Sequence, residues 1–427
     1  MARNIRKSLE LWQRAEPIIP CGTQTASKGP DQFVKGVYPI YLQKGKGSHV
    51  WDVDGNEYID YPCSLGAIFL GHAYPPVVKA IQKQAEEGII FSLMHPLEVE
   101  LAELLIKHIP CAEAVRFAKN GSDATSAAVR IARAYTGKDK IAFCGYHGWQ
   151  DWYTIGTEKT KGIPNVLKEY LFKFQYNNID SLKKIFEENK GEIAAIIMEP
   201  VITEAPKDRF LEKVKELAHE NGALLIFDEM VTGFRFGLGG AQKYFNVIPD
   251  LGCFGKSIAN GMPLSVVAGR KEIMEECKNI FFSVTFGGEA ISLAAAVATI
   301  KEVEQKDVID HIWAVGKKFN QQFNALAAEL DVPVKCVGFP PRQNIVFSHE
   351  DSAKLKTLFL QETIKQGVLI GNVIFFNYSH SEEDLQKTMD ACKIALTKIK
   401  GGLLKANLKD LIEGELAGEV FRQRSER

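Results

Sequence analysis

The run Ala223-Leu224-Leu225-Ile226-Phe227-Asp228-Glu229 decides the fold. Its unbroken apolar stretch reads as a strand buried on both faces, and it stops in an acid pair. Runs of the same kind recur at Lys140–Phe143, Ile193–Met198 and Ser265–Ala268. Helical patterns stand between them, for example Ser122–Tyr135 and Phe210–Glu220. Strand and helix alternating in this way predict an α/β fold with a mostly parallel sheet and helices on both faces. Ligands in such folds bind beyond the carboxyl ends of the strands, so chemistry is expected just past each run.

The flanking regions read differently. Residues Ile5 to Pro17 predict a short amphipathic helix, stopped by Pro20-Cys21-Gly22. Ser48–Val53 and Asn56–Asp60 alternate about Asp54-Gly55, a hairpin signal. Helices are expected at Pro75–Glu87, Leu97–His108 and from Ala290 to Glu304. Short strands follow at Gln343–Phe347, Val368–Ile370 and Val373–Tyr378, and Gly401–Arg427 reads as helical and polar.

Composition narrows the class without naming a reaction. The chain has 427 residues, 46% hydrophobic and 25% charged, an ordinary globular balance. Its 52 basic and 53 acidic residues give a net charge of −1, with no footprint for nucleic acid. No apolar run approaches the roughly 18 residues of a membrane span, and Met1–Glu10 lacks a signal-peptide core. The eight cysteines are scattered with no C-x-x-C pair, which predicts free thiols and a cytoplasmic location. No histidine pair has metal-ligand spacing, so no metal is expected.

Three places past the strands carry chemistry. Asp228-Glu229 ends one run, where an acid serves as a helix cap, a metal ligand or the partner of a cofactor nitrogen. Lys256 follows Leu251-Gly252-Cys253-Phe254-Gly255, an apolar, glycine-rich setting. A lysine partly desolvated there has a lowered pKa and attacks an aldehyde, although a surface lysine is the ordinary reading. Gly255-Lys256-Ser257 is not a phosphate loop, because position 250 is Asp where the motif needs glycine. Lys119-Asn120-Gly121-Ser122-Asp123 opens a helix whose N–H groups suit a phosphate, or are simply capped by Ser122 or Asp123. Tyr146-His147-Gly148-Trp149 adds aromatic faces at the same sheet edge.

In that order, with Glu199-Pro200 and Thr232-Gly233-Phe234-Arg235 between, these motifs resemble class III (fold type I) aminotransferases. Within that class the chain resembles glutamate-1-semialdehyde 2,1-aminomutase and its transaminase cousins, and the resemblance runs from about Ser8 to about Leu396. It implies pyridoxal 5'-phosphate (PLP) as cofactor, in a large domain with a seven-stranded type of sheet and a smaller α+β domain. The expected division is 61–290 for the large domain, 1–60 with 291–400 for the small one, and 401–427 as a helical extension. Lys256 would form the Schiff base and shuttle the proton, and Asp228 would keep the ring nitrogen protonated. Gly121 and Ser122 would bind the phosphate, Tyr146 would stack on the ring beside His147, and Met230 would pack its other face. Thr285 matches the threonine that reaches the partner subunit's phosphate, which implies a homodimer with the site at the interface.

The chain departs from the mutase pattern. Lys28 stands where an arginine would take the substrate carboxylate, and a lysine lacks the bidentate fork. Glu204, in Glu199-Pro200-Val201-Ile202-Thr203-Glu204, is typical of transaminases and is carried over as a cofactor and substrate contact. Trp149, Asp151, Trp152 and Tyr153 replace a small-residue lid. The expectation is a transaminase moving an amino group from glutamate to a carbonyl compound, a keto-sugar given the aromatic faces. Trp149 would meet the substrate, and Trp149 and Trp152 read equally as packing residues. The alternative is the aminomutase reaction that gives 5-aminolevulinate.

Overall fold

A computed structural model describes residues Arg3–Gly418. The chain divides into two compact units, one built from residues up to Tyr74 together with those from Asp310 on, the other from Pro75–Ile309.

The second unit holds a seven-stranded sheet. Its spatial order is Ala114–Ala118, Ser265–Gly269, Leu251–Phe254, Leu224–Asp228, Ile193–Met198, Lys140–Cys144 and Leu171–Lys173. Ser265–Gly269 runs antiparallel to both neighbours, and the other pairings are parallel. The central strands are buried along their whole length, which is why they read as apolar runs rather than alternations. Helix Gly121–Thr136 covers one face with Ala124, Ala127, Ala128 and Ala132. These small side chains let helix and sheet approach closely. Asp123 accepts from Asn120 N at 2.8 Å to open that helix, and Gly137, left-handed at φ +67°, ends it.

Register brings the strand ends level. Cys144 pairs with Met198, Met198 with Phe227, Asp228 with Cys253, Phe254 with Val266, and Ser265 with Ala118. The segments after Ala118, Cys144, Met198, Asp228 and Phe254 therefore all leave the same end of the sheet.

The first unit contains a four-stranded sheet in the order Leu42–Lys46, His49–Asp52, Glu57–Asp60 and Val368–Leu369. The expected hairpin sits in it, with Gly55 at φ +91° in the turn. A three-stranded sheet is formed by Val334–Phe339, Arg342–Phe347 and Ile374–Phe375. Helices Ser352–Lys365 and Glu382–Leu404 pack against each other. Within the expected helical extension, helix continues only to Leu404. One 3-10 turn follows at Leu408–Leu411, then irregular chain to Gly418, and 419–427 lie outside the described residues. Among the described residues no helix is long and apolar enough to cross a membrane, and no group of three or more His, Cys, Asp or Glu is placed to hold a metal.

Candidate active site

The acid pair at the end of Leu224–Asp228 splits in two directions. Glu229 is fully buried and turns inward, accepting from Thr232 Oγ1 (2.6 Å), Ala241 N (2.7 Å) and Gln242 N (2.9 Å). It thereby caps the short helix Gly240–Tyr244, and burial raises its pKa against the pull of those donors. Asp228 turns to the strand end. Its Oδ2 lies 2.8 Å from His147 Nδ1, and its Oδ1 accepts from Met230 N at 3.1 Å.

His147 is only 1% exposed. A carboxylate can only accept, so Nδ1 carries a hydrogen and the ring orientation is fixed. Its backbone oxygen accepts from Thr125 Oγ1 at 2.8 Å, which ties the turn to helix Gly121–Thr136. Trp152 lies nearly parallel to the imidazole, and Phe143 and Tyr153 meet it edge-on. His147 Nε2 is buried without a hydrogen-bond partner.

Tyr146 donates its backbone N–H to Glu199 Oε1 at 2.9 Å, and its ring meets Tyr153 edge-on at 5.6 Å. The ring is half exposed, and burial followed by the charge of Asp228 raises its phenol pKa. Two glycines permit this turn. Gly145 and Gly148 sit at φ +110° and +112°, where side chains are strained. A Cβ on Gly148 would lie 2.6 Å from Ser122 Cβ, so the Tyr146–Gly148 turn lies directly on the first turn of the helix. The N–H groups of that first turn point out of the helix end, toward which the helix dipole attracts an anion.

Met230 joins the helix start to the lysine turn. Its Sδ lies 3.0 Å from a Cβ built on Gly121 and 2.7 Å from one on Gly255. Lys256 follows at φ +45°, the first residue of the 3-10 turn Lys256–Ala259. A non-glycine residue held left-handed costs about 1–3 kcal/mol, and such strain gathers where a side chain must be aimed. Lys256, Asp228, His147, Tyr146, Met230, Gly121 and Ser122 all follow strand ends at one edge of one sheet. An amine, a buried carboxylate with a fixed imidazole, and a helix start lined by small residues can together hold an aromatic aldehyde bearing an anion.

Other residues singled out from the sequence have the following surroundings. Glu204 is on the surface, with Oε2 2.9 Å from Lys207 Nζ, and that lysine lowers its pKa. Thr285 is exposed in the irregular chain before helix Ala290–Gln305. Trp149 is 70% exposed, whereas Trp152 is partly buried and donates Nε1–H to Ser126 Oγ at 2.8 Å. Lys28 belongs to the other unit, where its Nζ donates to Ser64 Oγ at 3.1 Å. Sequence reasoning gave no part to Thr125 or Ser126, because a hydroxyl inside a helix carries no signal of its target.

Comparison with known proteins gives the family. The family model Aminotransferase class-III matches residues 33–396, and the chain belongs to that family. It is 39% identical over 409 residues to the 3-aminobutyryl-CoA aminotransferase of Cloacimonas acidaminovorans, covering 93% of this chain and 98% of the relative. It is 35% identical over 419 residues to the glutamate-1-semialdehyde 2,1-aminomutase of Acetivibrio thermocellus, covering 90% and 96%. Among solved structures, the PLP-bound form of the FumI protein of Sphingopyxis sp. MTA144 superposes with a TM-score of 0.89 at 27% identity, covering 96% and 98%.

Proposed function

We propose that this chain is a PLP-dependent transaminase that takes an amino group from glutamate and delivers it to a small carbonyl compound. The observation that carries this reading is the buried His147–Asp228 pair at the same sheet end as Lys256.

The residues fit the cofactor. Lys256 would hold its aldehyde carbon, Gly121 and Ser122 its phosphate, and Asp228 its ring nitrogen. Tyr146 and Met230 would border the ring, and Thr285 of a second copy would complete the phosphate site in a homodimer. When bound, PLP supplies an electron sink for the pair of electrons left when a proton departs from Cα of the donor. Lys256 Nζ would take that proton from Cα of the donor and hand it to the cofactor carbon that had carried the aldehyde, and would run the same two transfers in reverse on the acceptor. His147 donates to Asp228 Oδ2, so the carboxylate would be held in a fixed orientation toward the ring nitrogen. Gly148 lets the Tyr146 turn pack on the helix start, so the aromatic wall would border the phosphate end directly.

Two readings of the acceptor each have an observation behind them. The 39% identity to an aminotransferase of 3-aminobutyryl-CoA supports a short acyl group with its amine at C3. The exposed indole of Trp149 supports a keto-sugar, although Trp152 spends its N–H on Ser126 and is taken out of that argument. The mutase reading rests on relatives such as the Acetivibrio thermocellus enzyme. The test is a half-reaction screen that follows the cofactor absorbance with glutamate as donor, then with a 3-oxoacyl thioester, keto-sugars or glutamate semialdehyde as acceptor. Glutamate should aminate the cofactor and one acceptor should restore it. Rapid conversion of semialdehyde to 5-aminolevulinate with no added donor would replace the transaminase by the mutase.

A further inference from the structure

The turn 145–148 does not fix its own shape. It begins and ends in glycine, at φ +110° and +112°, the residue that leaves the chain most freedom. Three hydrogen bonds from outside hold it. Glu199 Oε1 accepts from Tyr146 N at 2.9 Å, and His147 O accepts from Thr125 Oγ1 at 2.8 Å. The third comes from Tyr153, whose hydroxyl donates to the oxygen of the buried Gly145 at 3.0 Å. Burial first, then the charge of Glu199, pushes the pKa of that phenol up, so it keeps the hydrogen it donates.

Tyr153 also meets both side chains of the turn. Its ring stands edge-on to Tyr146 (centroids 5.6 Å apart, planes at 86°) and to His147 (5.4 Å, 74°). Such edge contacts favour one mutual orientation of the rings. Tyr146 is half exposed and His147 is buried, so one residue steadies both the open aromatic face and the imidazole bonded to Asp228. The base under Tyr153 is firm. It lies in the short helix Asp151–Thr154, where Trp152 donates Nε1–H to Ser126 Oγ of helix Gly121–Thr136. Just beyond, a Cβ on Gly156 would lie 3.0 Å from both the Phe143 ring and the Leu171 side chain, so the chain returns closely onto the sheet.

We propose that Tyr153 is a positioning residue of the cofactor site, locking the turn 145–148 so that the Tyr146 ring and the His147 imidazole keep their places at the sheet end. The inference rests on the reading that the cofactor ring lies at this turn. It gives a task to a residue whose sequence pattern suggested only the replacement of a lid.

The test compares Tyr153→Phe, Tyr153→Leu and Tyr38→Phe in the full-length protein. Tyr153→Phe keeps the ring and removes only the bond to Gly145 O, which covers a Tyr153→Leu protein that fails to fold. Tyr38→Phe is the control, because Tyr38 is likewise buried and donates to a backbone oxygen, that of Ile370, at 2.9 Å in the other unit. The measurements are thermal unfolding, PLP titration, amide exchange of 145–148 and 224–228 in the apo protein, and the downfield proton signal of His147 Nδ1–H. Tyr153→Phe should speed exchange at 145–148 but not at 224–228, and should weaken PLP binding about tenfold, the size of one hydrogen bond. Tyr153→Leu should do more of both and lose the His147 proton signal to exchange with water. Tyr38→Phe should lower the Tm with PLP affinity and the His147 signal unchanged. An equal loss of PLP affinity in Tyr38→Phe would reduce Tyr153 to a structural part and overturn the proposal. Unchanged exchange at 145–148 in a folded Tyr153→Phe protein would overturn the lock alone. Faster exchange there with PLP affinity unchanged would overturn the reading that the cofactor lies at this turn, and with it the task given to Tyr153.

Discussion

Replacing His147 by Leu removes one donor from a carboxylate that is itself only 3% exposed. Asp228 would keep Met230 N on Oδ1 and lose its partner on Oδ2. A lost hydrogen bond to a charged, buried group is worth about 1.5–3 kcal/mol. In rate terms that is about tenfold to a hundredfold. If Asp228 holds the ring nitrogen as proposed, the loss should fall on PLP affinity and on the rate at which glutamate aminates the cofactor, because both would need the carboxylate held in place. His147→Asn is the paired variant, since its amide nitrogen stands near the place of Nδ1 and can still donate. The assay is stopped-flow absorbance of the loaded enzyme with glutamate, beside fluorescence titration of the apo protein with PLP. His147→Leu should be slow and weak-binding, with His147→Asn recovering a large part of both. A His147→Leu protein that folds, binds PLP and reacts at the wild-type rate would refute the reasoning.

Further predictions concern the turn and the other unit. Gly148→Ala should lose about 1–3 kcal/mol of stability, because φ is +112° and its Cβ would meet Ser122 Cβ at 2.6 Å, and it should bind PLP more weakly. Thermal unfolding and PLP titration check this, and an unchanged Tm would contradict it. His49 lies 2.8 Å from both Asp384 and Glu57, and its pKa is raised, chiefly by its hydrogen bond to Asp384. Burial alone would raise the pKa of Asp384, but the bonds from His49, Ser381 N and Ser48 outweigh it and hold the carboxyl below its usual range. The stability from the charged imidazole is full below its unfolded value of about 6.5 and is lost as pH rises through the raised folded value. Urea unfolding of wild type and His49→Gln should therefore differ most below pH of about 6.5 and converge only as pH rises through the raised folded value. A difference independent of pH would contradict the assignment.

Much of the site was legible because an α/β sheet converts sequence position into place. Asp228 and Lys256 each follow an apolar run, and the register sets both at one edge. The helix start at Gly121 was legible from Asn120-Gly121-Ser122-Asp123, whose side chains cap and whose glycine lets Met230 approach. The contacts between these pieces were not. His147 and Asp228 are 81 residues apart, and nothing in either local pattern shows that one ring nitrogen meets the other's carboxylate. Lysine has no preference for a left-handed backbone, so the strained φ of Lys256 carries no sequence signal. Trp149 and Trp152 read alike on paper, and only the packing of Ser126 against the second separates them. Residues 415–418 are held on 31–35 largely through backbone N–H donors, which every residue but proline carries, so the pairing leaves no mark in the sequence.

The most direct test of the whole account is borohydride reduction of the PLP-loaded protein, followed by peptide mapping. The account predicts loss of the visible absorbance and a single pyridoxyl-modified peptide with the label on Lys256. A label on another lysine, or a Lys256→Ala protein that keeps full turnover, would contradict it.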